Sequence, residues 1–77
     1  HILGIPKVPC TDFVDFITNY DSSIVHYFFK KAEEVIKILK IRDDGYRIVS
    51  NSGDNGCQEV PHFHIHILGG EKLNIKP

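Results

Sequence analysis

The chain has 77 residues, 42% of them hydrophobic and 25% charged, with a formal net charge of -1. That is the composition of an ordinary soluble globular protein and enough chain for a single domain, 1–77. Near-neutrality gives no general attraction to nucleic acid or anionic membranes, and no apolar run is long enough to span a bilayer.

A core of this size supplies only about 3–5 kcal/mol, so a staple or a partner is expected. Cys10 and Cys57 form no metal-binding spacing and read as free thiols of a reducing compartment. With no secretory signal pattern, the expected location is the cytoplasm.

His1 to Pro6 reads as a short strand ended by proline, which cannot continue a ladder. It opens with neither an initiator Met nor a polar lead-in, so the expectation is a domain whose beginning lies outside this sequence. From Lys7 to Tyr20 the chain is mixed, with Pro9, Thr11, Asp12 and Asn19 marking turns. Phe13, Phe16 and Ile17 there suggest a short helical turn touching the core.

Asp21-Ser22-Ser23 offers N-cap chemistry. After it, Ile24, Phe28, Ala32, Val35, Ile36 and Leu39 recur at helical spacing, with Lys30, Lys31, Glu33, Glu34 and Lys37 mainly elsewhere on the wheel. This predicts an amphipathic helix from about Ser22 to Lys40. Val25, Phe29 and Ile38 widen its apolar face beyond what one small sheet would cover, which suggests a thick core or a second subunit. His26 is expected at the surface or an interface.

Arg42 to Gly45 is a turn, with Gly45 expected to supply the backbone freedom of the helix exit. Tyr46 to Asn51 is a second strand. Asn51 to Gln58 is a loop rich in glycine and amides. The tail from Glu71 to Pro77 carries no clear pattern.

The stretch Val60 to Gly70 is the most informative. His62, His64 and His66 alternate with Phe63, Ile65 and Ile67. On a strand this sends three imidazoles to one face and the apolar residues to the core. Three uses compete. The histidines could be exposed polar residues on an open sheet face. An HxH pair could hold a metal ion with Glu59 or Cys57. Or the row could serve nucleophilic catalysis on phosphorus, one neutral imidazole attacking beside another that carries a proton. The preceding loop favours the last use. Gly53 and Gly56 allow backbone N–H groups to form a concave anion site, and Asn51 and Gln58 add neutral donors.

His62-Phe63-His64-Ile65-His66-Ile67-Leu68 resembles the signature of the histidine triad superfamily, three histidines separated by apolar residues. Ile5-Pro6-Lys7, Gly45 to Val49 followed by Asn51, Gln58-Glu59-Val60 and Leu68-Gly69-Gly70 are similar to the Hint branch, the histidine triad nucleotide-binding proteins. His66 sets the chain apart from the uridylyltransferase branch, which carries glutamine there.

The resemblance implies an α+β fold, an antiparallel sheet with about three strands retained and one long helix, and the C-terminal portion of the domain. It implies a hydrolase of nucleoside 5′-phosphoramidates or adenylylated amines, working through a nucleotidyl-histidine and needing no cofactor. His64 would be the nucleophile, with the His62 carbonyl fixing its tautomer. His66 would contact the phosphate, His62 and His66 would share proton handling, and His1 would support the triad. Asn51, Cys57, Gln58 and Glu59 match the phosphate-binding segment.

The implied partners are an AMP- or GMP-type nucleotide and a second copy, in a homodimer joined through the helix and strand 46–51. Relatives often carry Gly at the position of Cys57 and Ser or Thr at that of Glu59. The missing early part would have supplied the base pocket, so weak AMP binding and slow turnover are expected. A non-catalytic anion-binding dimer and a metal-binding module are the alternatives.

Overall fold

The computed structural model describes residues 1–74. It contains strand β1 (Ile2–Gly4), helix α1 (Phe13–Asn19), helix α2 (Ser22–Ile38), strand β2 (Tyr46–Val49) and strand β3 (Ile65–Gly69). The three strands form one antiparallel sheet in the order β1-β3-β2, the α+β architecture expected. β3 is central, with Ile67 opposite both Ile2 and Ile48, and His66 opposite Leu3 and Val49. Since side chains alternate, Ile2, Ile48, Ile65 and Ile67 share one face; Leu3, Val49 and His66 share the other.

The buried core consists of Cys10, Phe16, Ile36, Phe63, Ile65 and Ile67, with α2 adding Val25, Phe28, Phe29, Ala32 and Val35 at its margin. Phe16 is fully buried. Its ring stacks on Phe63 at 5.1 Å and meets Phe28 edge-on at 5.4 Å. The short helix around Phe16 therefore supplies the centre of the core, where the sequence suggested only a touch.

Boundaries differ from the sequence reading for local reasons. α2 ends at Ile38, and Lys40 takes the left-handed conformation (φ 57°) that releases the chain. The helix exit thus belongs to Lys40; Gly45 (φ 105°) instead turns the chain into β2. Asp21 makes no side-chain cap bond, whereas Asp12 caps α1 by accepting from the Asp15 N–H at 2.9 Å. β2 stops at Val49, short of Asn51. β3 begins only at Ile65, because Pro61 lacks an N–H and the Phe63 N–H donates to the Cys10 carbonyl at 2.9 Å. The alternation survives outside the ladder. Phe63 is buried, and His62 and His64 are half-buried.

α2 covers the sheet unevenly. Ile48 and Tyr46 remain 46% and 44% exposed, and Ile24, Tyr27, Ile38 and Leu39 are also exposed. Of the three residues expected to widen the helix's apolar face, Ile38 is exposed, whereas Val25 and Phe29 pack against the core. None of the helices in the described residues is long and apolar enough to cross a membrane. The last residues of the expected featureless tail, Ile75 to Pro77, lie outside the described residues.

The start of α1 carries a pH-sensitive contact. The Thr11 N–H donates to Asp15 at 2.7 Å and the Asn19 amide donates at 2.6 Å. The Thr11 backbone bond, then that from Asn19, hold the Asp15 carboxyl below its ordinary value of 3.8. The fold therefore favours the ionised form. Its contribution is complete above 3.8 and disappears as pH falls through the lower, folded value. The gap in thermal midpoint between the parent chain and Asp15→Asn should be constant near neutrality and shrink on acidification below that window. A gap independent of pH would contradict this assignment.

Candidate active site

His66 projects from β3 on the face opposite the helices, and His64 precedes it by one alternation. His64 Nδ1 lies 2.8 Å from the His62 carbonyl oxygen. A carbonyl only accepts, so the Nδ1 proton is donated, and a neutral ring keeps its Nε2 lone pair free. His62 is anchored in turn, its Nε2–H donating to the Pro6 carbonyl at 3.2 Å. That bond ties the start of the histidine run to the exit of β1.

The His64 and His66 rings are 5.1 Å apart and nearly perpendicular. His66 Nδ1 is 2.8 Å from His1 Nε2, so one proton is shared between these rings and His66 Nε2 faces away from that bond. The structure thus brings His1, His62, His64 and His66 together as the sequence reading required.

The loop is arranged differently from the expectation. The Cys57 N–H donates to Asp54 O at 3.1 Å and the Gln58 N–H to Gly53 O at 3.0 Å, which closes the turn on itself. The Gln58 side chain accepts from the Gly53 N–H at 3.0 Å. It donates to Thr11 O at 2.6 Å and to Val60 O at 3.0 Å. Gln58 and the Cys57 N–H, expected to present donors to phosphate, are instead committed to holding the loop in shape. Among the described residues, no hydrogen bond occupies the Asn51 side chain or the Glu59 N–H. Of the residues expected to bind phosphate, those two keep an uncommitted donor.

Gly56 cannot be replaced without movement, since a Cβ there would come within 2.4 Å of Ser52 O. Gly53 (φ 66°) and Cys57 (φ 60°) are both left-handed. Relatives often carry Gly at the position of Cys57, and a residue with a Cβ holds this left-handed conformation only at a cost in strain. Cys57→Gly should therefore raise stability by about 1 kcal/mol, or about 5 °C in thermal midpoint, while Cys57→Ala should leave it unchanged. Equal midpoints for the Gly and Ala variants would show that the strain is absent.

Three contacts were invisible in the sequence. The Ser50 hydroxyl donates to the His64 carbonyl at 2.9 Å. The Pro6 carbonyl holds His62, and Thr11 anchors Gln58. The groove of about 410 Å³ between β1 and α2, lined by Ile2, Ile24, Tyr27 and Phe28, lies across the sheet from His66 and is separate from the histidines.

Comparison with known proteins decides the family. The HIT domain model matches residues 1–73. This chain belongs to the HIT domain family. A HIT-like protein of Rickettsia prowazekii is 37% identical over 73 residues, covering 95% of this chain and 61% of the relative. A 14 kDa zinc-binding protein of Brassica juncea is 51% identical over 90 residues, covering 100% of this chain and 68% of the relative.

Among solved HIT structures, a HIT family hydrolase from Legionella pneumophila superposes with a TM-score of 0.85 at 32% identity, covering 97% of this chain and 66% of that one. A histidine triad protein from Clostridium difficile gives 0.82 at 32% identity, covering 97% and 64%. The chain spans about three fifths of the length of the first curated relatives it matches.

A metal centre does not fit the described residues. No three His, Cys, Asp or Glu side chains among them are grouped as ligands, and His1 and His66 face one another across a hydrogen bond. Zinc binding is named for two plant relatives, those of Brassica juncea and Zea mays.

Proposed function

We propose that this chain carries the phosphate-handling part of a HIT-family hydrolase that cleaves nucleoside 5′-phosphoramidates or adenylylated amines. The observation that supports it is the bond from His64 Nδ1–H to the His62 carbonyl at 2.8 Å, which leaves Nε2 as a nucleophile 5.1 Å, ring to ring, from His66. The HIT family hydrolase naming of the Legionella neighbour agrees with it.

In this reading the Nε2 lone pair of His64 attacks the α-phosphorus and the P–N bond to the amine breaks. The leaving amine takes a proton from the His62/His66 pair. Water then attacks the nucleotidyl-histidine, breaks its P–Nε2 bond and returns a proton to that pair. The sum is one phosphoramidate and one water giving one amine and one nucleoside monophosphate. Placing donors where charge develops is the usual source of such acceleration. Asn51 and the Glu59 N–H are the donors proposed for the phosphate oxygens.

Incubation with adenylylated lysine tests the proposal. AMP should be released, and rapid acid-free quenching should trap a chain heavier by one adenylyl group at His64. AMP binding without turnover or adduct would overturn the hydrolase and favour a non-catalytic nucleotide-binding module.

A further inference from the structure

We propose that Ser50 is a positioning residue for His64, its hydroxyl holding the nucleophile's backbone where the sheet's own ladder ends. The inference rests on the function proposed above. The β2–β3 ladder runs from Tyr46 opposite Gly69 to Val49 opposite His66, and stops there. His64 lies two residues beyond the last rung. Ser50, one residue past the end of β2, supplies the missing donor from its side chain, Oγ to His64 O at 2.9 Å. Serine readily makes such substitutions for a backbone donor.

Two bonds then control His64 from different directions. The Ser50 bond sets the backbone of residue 64 against β2. The bond from Nδ1 to His62 O, at 2.8 Å, sets the ring's rotation and tautomer against its own chain. With both in place Nε2 has one direction available. Direction matters because a reacting atom misplaced by about 1 Å can lose on the order of 100-fold in rate. Removing the hydroxyl leaves the His64 carbonyl to water and releases one of the two restraints. Ser50 needs no contact with substrate to act in this way.

Ser50→Thr and Ser50→Val isolate the hydroxyl, since the two side chains have nearly the same shape and both suit an extended segment. Thr should keep kcat within about twofold of the parent. Val should lose roughly fivefold in kcat with KM unchanged, the worth of one hydrogen bond of about 1 kcal/mol. In parallel, the His64 Nδ1–H resonance should exchange with water faster in the Val variant than in the Thr variant. Equal kcat and equal exchange in Thr and Val would overturn the assignment. If none of the three proteins releases AMP, the hydrolase reading fails by itself, and the imidazole exchange rates alone decide the role of Ser50.

Discussion

Replacing His64 by alanine is expected to lower the release of AMP from adenylylated lysine by on the order of 10³-fold or more, with the fold intact. The size of the effect follows from what the neighbours cannot do. The Nε2 of His62 is spent on the Pro6 carbonyl at 3.2 Å, and His66 Nδ1 is engaged with His1 at 2.8 Å. Neither ring is both held by a carbonyl at Nδ1 and free at Nε2, as His64 is. Without that lone pair there is no covalent intermediate, and only the binding and charge-stabilising groups are left.

The ratio of variant to parent is the quantity to measure, because it cancels whatever nucleoside contacts limit the absolute rate. His64 is only half-buried, so its circular dichroism spectrum and denaturation midpoint should stay close to the parent's. A His64→Ala protein retaining turnover within about threefold of the parent would remove His64 from the chemistry.

The largest loss of stability is expected at Phe16. Its side chain is fully buried and sits among the rings of Phe63, Phe28, Phe29 and Tyr20. Phe→Ala at such a position costs about 3–5 kcal/mol, from lost transfer free energy plus an unfilled cavity. A domain of this length holds about 3–5 kcal/mol in all. Phe16→Ala should therefore be largely unfolded at room temperature without denaturant. Ile17→Ala, on the same helix but 43% exposed, should shift the urea midpoint only slightly.

A folded Phe16→Ala protein with a midpoint near the parent's would show that the core is centred elsewhere. The effect should also reach the site. α1 begins just after Cys10 and Thr11, whose carbonyls receive the Phe63 N–H and the Gln58 amide, so loss of α1 frees the segment leading into the histidines.

Much of the candidate site was legible in the residues because the relevant geometry is local. Alternation at period two follows from the pleat of any extended chain. His62, His64 and His66 could thus be separated from Phe63, Ile65 and Ile67 before any partner strand was known, and the pattern persists at 62–64 where no ladder exists. Helix α2 was equally legible, since its apolar spacing is written within one stretch.

The bonds that define each ring's state were not. His1 meets His66 across 65 positions, His62 meets Pro6 across 56, and Gln58 meets Thr11 across 47. The last of these turned Gln58 from an expected phosphate donor into a staple. Its amide is chemically suited to either task, and only the position of Thr11 decides between them.

The order of residues was enough to say which side chains could share a face and where the long helix would form, because both follow from a period internal to one stretch of chain. Which nitrogen of each imidazole is engaged, which loop amides are committed, and the place of Phe16 at the centre of the core came from the packing of distant segments. Those outcomes depend on distances of about 3 Å between segments far apart in sequence, set by how β1, α1 and the loop before β3 pack together.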